Sequence, residues 1–213
     1  MAKRPVFEVV DKKPYVIVKD IEFKYHPGMS ATQKIKNMQS IHKEYLDNNP
    51  TKNILEISTK SLKEEGRLLS AFNLKAYVPS VGLCVPVENI YQASKVFEKG
   101  QFDDLMFVSP KEAKKDARLT DSGCVIGYCF ENKLYPSAPS TAFYNYLYIK
   151  ALTENPDLSE YLLSFDAFTD IEFNPNKSLN CQARAAAVFV GLVKSKTLGQ
   201  AMESFESFVR HTY

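Results

Sequence analysis

The residues best suited to chemistry sit beside the most apolar part of the chain. Asp170 and Glu172 alternate with Ile171 and Phe173, a polar turn runs from Asn174 through Pro175 to Asn180, and Ala185 to Leu192 is almost wholly apolar. Burying an ionised carboxylate costs several kcal/mol unless it is paired or takes up a proton. Asp170 and Glu172 therefore have two readings. They cap the turn or pair with Arg184, or they are active-site carboxylates on a loop held by a rigid helix. This stretch alone leaves both open.

Other candidates are weaker. Cys84, Cys124, Cys129 and Cys181 form no C-x-x-C pair, and His26, His42 and His211 are scattered. No zinc-site spacing results, so the expectation is metal-free chemistry, no cofactor, and cysteines packed as small core residues. Glycine loops for phosphate and a G-x-S-x-G elbow are absent from the sequence. Ser58-Thr59-Lys60-Ser61 is a polar cluster at a strand end, where sites often form. Glu88, Gln92 and Lys95 recur at helical spacing, and periodicity by itself favours an exposed stripe. The run Phe143-Tyr144-x-Tyr146-x-Tyr148 could stack bases but reads as core.

These residues need elements to position them. Residues 6–25 read as two strands joined by Asp11–Pro14. Ser30-Ala31-Thr32-Gln33 has capping-box spacing before a helix over 31–48, and Lys34, Lys36 and Lys43 read as its solvated face. A strand follows at 53–58, a turn at Glu64–Arg67, and a hairpin over 77–86. A helix is expected from Val87 to Lys99, closed by Gly100. Ser109-Pro110-Lys111-Glu112 opens a short helix whose Lys114, Lys115 and Arg118 read as solvated. Cys124–Phe130 is a strand, Pro136 and Pro139 mark a loop, and helices follow at 141–154, from Pro156, from the apolar stretch to about Val193, and from Thr197 to the end.

The 213 residues fit one domain, and 45% hydrophobic residues suffice for a core. We divide it into an N-terminal strand-and-helix extension (1–50), a catalytic core (51–195) and a C-terminal helix (196–213). A net charge of +2 gives little support for strong non-specific nucleic-acid binding, though a local basic groove stays possible. No apolar run approaches the roughly 18 residues of a membrane span, and the first residues lack a signal-peptide core, so the expected location is cytoplasmic, away from membranes.

Four segments in order resemble the NADAR, or YbiA-like, family. Ile57-Ser58-Thr59-Lys60, Gly66 and Ser70-Ala71-Phe72 match its strand, glycine turn and Ser-Asn-Phe motif, with Ala71 in place of the family's Asn and Asn73 nearby. Glu88-Asn89-Ile90-Tyr91-Gln92-Ala93-Ser94-Lys95 is similar to its Glu-His-Tyr helix. The wording of Asp166–Pro175 and Lys177–Arg184 looks closest to antitoxins encoded beside a DNA ADP-ribosyltransferase toxin. The resemblance covers about residues 50–195. It implies a mainly helical α+β fold, no metal, and an ADP-ribosyl glycohydrolase that removes ADP-ribose from guanine in DNA. It implies Lys60, Glu88 and Asp170 as catalytic residues. ADP-ribose or base contacts fall to Ser58, Ser70, Phe72, Asn73, Tyr91 and Gln92, and later to Glu172, Asn174, Asn180, Gln182 and Arg184. Arg184, in an otherwise apolar helix, is expected to find Asp170, Glu172 or a ligand phosphate. Competing readings are an N-glycosidase of a small riboflavin-pathway metabolite and a non-catalytic protein that binds a toxin or modified DNA.

Overall fold

The computed structural model describes all residues, 1–213. The first two elements are β1 (Ala2–Val9) and β2 (Val16–Phe23), antiparallel from Ala2 opposite Phe23 to Val9 opposite Val16. Helix α1 (Ala31–Asn48) starts where its cap predicts, with the Ser30 hydroxyl accepting the Gln33 N–H. Strand β3 (Ile54–Glu56) follows. The stretch read as a turn at Glu64–Arg67 is a short helix, α2 (Glu64–Leu68). It lies so close to β3 that a Cβ at Gly66 would collide with the Glu56 carbonyl and the Ser61 hydroxyl. Strands β4 (Lys75–Val78) and β5 (Leu83–Pro86) form the expected hairpin.

Helix α3 (Val87–Ala93) stops short of the expected Lys99, because Lys95–Phe97 is a strand, β6. Helices α4 (Pro110–Lys115) and α5 (Arg118–Asp121) precede β7 (Val125–Phe130), which pairs antiparallel with β6. Ser94 makes the change of direction. Its hydroxyl donates back to the Ile90 carbonyl, and its carbonyl accepts the Cys129 N–H at 2.7 Å. Sheet pairing thus overrides a helical pattern that carries β-branched Val96 and aromatic Phe97. Strand β8 (Lys133–Pro136) fills a stretch for which no element is expected and runs into the loop marked by Pro136 and Pro139. Glu131 and Asn132 both have positive φ, 50° and 58°, the conformation of a two-residue hairpin turn.

The rest is helical apart from one strand: α6 (Ala142–Thr153), α7 (Pro156–Leu162), β9 (Ala167–Thr169), α8 (Gln182–Lys194), α9 (Leu198–Met202) and α10 (Phe205–Thr212). The single last helix expected from Thr197 is two, because the Ser204 hydroxyl caps a new start by accepting the Ser207 N–H.

The main sheet has the order β2-β1-β9-β3, with β9 antiparallel to β1 and parallel to β3. Successive residues of a strand face opposite sides. Val6 therefore joins Met38, Ile41 and Tyr45 of α1 on one face, while Phe7 joins the larger core built on α6 and α8 on the other. The fold is α+β, with residues 1–50 supplying the inner strand β1 and the helix that covers one face. Of the cysteines read as core, Cys181 is buried, but Cys84 and Cys124 are exposed and Cys129 is part-exposed. Cys84 lies on the outward face of the β4–β5 hairpin, opposite exposed Tyr77.

Candidate active site

Strands β3 and β9 run parallel, so the chain leaves both at the same edge of the sheet. Sites in parallel sheets form outside such carboxyl ends. Ser58, Thr59 and Lys60 follow β3, and Asp170 follows β9. The Ile57 N–H donates to the Thr169 carbonyl at 2.8 Å, so pairing continues to the residue before Asp170.

Asp170 is largely buried, with part of its surface open to a cleft. One of its carboxylate oxygens accepts the Glu172 and Phe173 N–H groups at 2.9 and 3.2 Å, an Asx-type turn that shapes the loop. Burial first, and the charge of nearby Glu56 second, push its carboxyl well above the usual range. The Cys181 thiol lies 4.0 Å from the other oxygen, and burial raises its pKa as well.

Helix α3 supplies Glu88, Tyr91 and Gln92. Its first turn is fastened by the Val87 and Glu88 N–H groups, which donate to the Leu74 and Ala71 carbonyls at 2.9 Å. Glu88 is 4% exposed, accepts the Gln92 amide at 2.8 Å, and has the Lys114 ammonium at 3.7 Å. The stripe that periodicity assigned to solvent thus faces a cleft. Lys114, read as solvated, reaches over the Phe72 ring. Arg118 is held instead by Asp104 and Asp116. Lys95 lies 4.9 Å from the Tyr91 ring centroid, and burial lowers its ammonium pKa to about 8. Asn180 donates to the Tyr91 hydroxyl at 2.6 Å and so ties the polar loop to α3.

Together these elements wall a cleft of about 1170 Å³. Lys60, Glu88 and Asp170 all line it, with Ser70, Phe72, Tyr91, Gln92, Glu172, Asn174, Asn180 and Gln182. Seven lysines (34, 60, 95, 111, 114, 115 and 177) face three carboxylates there, so the cleft concentrates positive charge that the near-neutral chain does not advertise. The Gln92 and Asn180 side-chain carbonyls have no partner although both atoms are buried. They are acceptors available to a ligand's N–H or hydroxyl.

Three expected contacts lie outside the cleft. Ser58 is buried and turns its hydroxyl to Glu56 and to the Lys60 N–H, so it holds the strand end together. Asn73 is exposed and donates to the Arg67 carbonyl. Arg184 meets neither Asp170 nor Glu172. It sits over the Tyr213 ring, approaches the Thr141 hydroxyl at 3.5 Å, and borders a separate cavity of about 230 Å³ beside Phe7 and Phe173. Gln182 and Arg184 are about 200° apart around α8, so a helix that turns the first towards the cleft turns the second away. Glu172 pairs with Lys34 at 2.8 Å instead.

The family model of the DarT1-associated NADAR antitoxins matches residues 2–213. The chain belongs to this family. No curated protein matches it. The match takes in β1, β2 and α1, beyond the stretch of about residues 50–195 that the motifs cover. Family membership makes this NADAR chain an antitoxin, with a toxin of the DarT1 kind as the implied partner. No helix is long and apolar enough to cross a membrane.

Sequence reasoning passed over Glu56 and Tyr128 of this NADAR site, read Lys34 as solvated and read Tyr144 as core. Lys34, Tyr128 and Tyr144 line the cleft, and Glu56 lies behind Asp170. The signal for Glu56 was a lone carboxylate between Leu55 and Ile57 in an otherwise apolar strand.

Proposed function

We propose that the protein hydrolyses the C–N bond joining ADP-ribose to guanine in DNA, and that this reaction is its antitoxin activity. The carrying observation is the convergence of Lys60, Glu88 and Asp170 from three elements on one lysine-rimmed cleft. Several features support the reading. The cleft is large enough for a dinucleotide-sized ligand, and its lysines suit a diphosphate and a nucleic-acid backbone. The unpaired Gln92 and Asn180 carbonyls suit a base edge or ribose hydroxyls.

Cleavage passes through an oxocarbenium-like state. Asp170, held as an acid by its burial, gives its proton to the departing guanine nitrogen. Glu88 takes a proton from water as the water attacks the anomeric carbon, which yields ADP-ribose and guanine. Lys60 anchors the diphosphate. An amine can precede water in this attack and form a Schiff base with the opened sugar. Lys95, the lysine whose amine burial favours, is the candidate.

The test is release of ADP-ribose from an oligonucleotide carrying ADP-ribosylated guanine. Lys60→Ala and Asp170→Ala are each expected to reduce turnover at least about 100-fold, the scale of a lost charge or proton donor. Lys60→Arg is expected to keep substantial activity. Borohydride is expected to trap an adduct in the wild type and not in Lys95→Arg. Turnover of small N-glycosides with none on the oligonucleotide would favour a metabolite enzyme. Binding of the oligonucleotide without turnover would leave a binding protein.

A further inference from the structure

Behind Asp170 lies a second carboxylate with no cation. Glu56 is 2% exposed on β3, and no lysine or arginine pairs with it or with Asp170. Its two oxygens hold the residues on either side of Asp170. One accepts the Ile171 N–H at 2.8 Å, and the other accepts the Thr169 hydroxyl at 2.5 Å. Ser58 adds a third donor. The Thr169 oxygen also lies 2.7 Å from His42 Nε2. With Glu56 ionised, Thr169 spends its one proton on it, so His42 donates through Nε2–H and its other ring nitrogen carries no proton. Burial fits this, since it lowers the His42 pKa to about 4. The chain of donors runs His42 to Thr169 to Glu56 and ends on a carboxylate that receives protons from every side.

We propose that Glu56 is a positioning residue that clamps the Asp170 loop and, as the ionised member of the pair, keeps Asp170 in its proton-bearing form for delivery to the leaving group. Two carboxylates whose charges repel across a largely buried site resist ionising together. Burial raises the Glu56 carboxyl too, but three donors, from Ile171, Ser58 and Thr169, oppose that and stabilise its charge. Asp170 has two backbone N–H groups on one oxygen and leaves the other beside the uncharged Cys181 thiol. Among the remaining groups around Asp170, the Glu172 charge raises its pKa and only the Lys114 charge and the backbone hydrogen bond lower it. Tyr144 and Tyr148 of α6 are neutral and buried, Glu172 is occupied by Lys34, and Lys114 is engaged with Glu88. This inference rests on the hydrolase reading for its use, though not for the protonation state it assigns.

Glu56→Gln tests it. A glutamine carbonyl still accepts the Ile171 N–H, and its amide can donate to Thr169 if the threonine hydroxyl turns to a His42 ring that has moved its proton to Nδ1. The clamp survives while the charge goes. The alkaline limb of the wild-type pH–rate profile is then expected to move at least about one unit towards acid, a tenfold loss on that limb, with turnover at pH 5 within about threefold of wild type. A profile that superimposes on wild type, or falls equally at every pH, overturns the proposal. Carbon-13 carboxyl titration of Asp170 provides a second reading that needs no substrate. Asp170 is expected to stay protonated at pH 7 in the wild type, and titration near pH 4 would overturn the proposal. A wild type with no turnover on ADP-ribosylated DNA but a protonated Asp170 sinks the functional reading and leaves the assignment of Glu56 standing.

Discussion

Asp170 shapes its own loop through the Glu172 and Phe173 N–H groups, and an asparagine could make the same two contacts. The acid form is what an asparagine cannot supply. The sign of the stability effect follows from the raised pKa. The unfolded side chain titrates near 4, and the folded one above that, so the folded state holds the proton more tightly. Asp170 therefore weakens the fold increasingly as pH rises from about 4 through the folded value. Asp170→Asn is expected to raise Tm by several degrees at pH 8, to change it little at pH 4, and to abolish hydrolysis. Thermal melts at the two pH values check this, and a lowered Tm at pH 8 would show that the carboxylate is stabilising.

At the scale of elements, one glutamine links the three that form the cleft floor. Gln182 opens α8, accepts the Ala71 N–H at 2.7 Å and donates to the Ile57 carbonyl at 2.7 Å. It thereby ties the helix to the Ser70–Phe72 turn and to the end of β3, where Ser70, Phe72 and Lys60 face the cleft. Truncation leaves a buried N–H and a buried carbonyl without partners. Each orphan costs about 1–3 kcal/mol, so Gln182→Ala is expected to lose about 2–4 kcal/mol in urea unfolding and to raise KM. Unchanged stability would mean that water replaces both contacts. Gln182 was singled out as a ligand contact, and the structure adds this clamping role. A sequence cannot reveal it, because both partners are backbone groups more than a hundred positions away.

At the scale of the molecule, the first fifty residues are part of the main core. Strand β1 sits between β2 and β9, and α1 closes one face with Met38, Ile41 and Tyr45 against Val6 and Ala167. Removing them exposes an edge of the three-residue strand β9, which carries Asp170 at its end. A chain that begins at residue 51 is expected to be insoluble or to lack dispersed amide resonances. A folded and active shortened protein would reject that role for β1.

Local signals decided much of this protein within the sequence itself. Ser30 and Ser109 cap helices where their side chains reach the next turn, and the β4–β5 hairpin and the strand pair at 6–25 follow from alternation and turn residues. These interactions span a few residues, so their information lies in a few residues. The ordered motifs also carried the family. What the tertiary structure decided is non-local. Lys95 leaves its helical pattern because β7 offers its backbone a partner, and Arg184 faces away because Gln182 faces in. The stripe of Glu88 and Gln92 is buried because α4 and the 170–182 loop close over it. The raised pKa of Asp170 is the least legible property of all. It depends on burial and on a carboxylate from another strand, and neither has a meaning until β3 and β9 lie side by side.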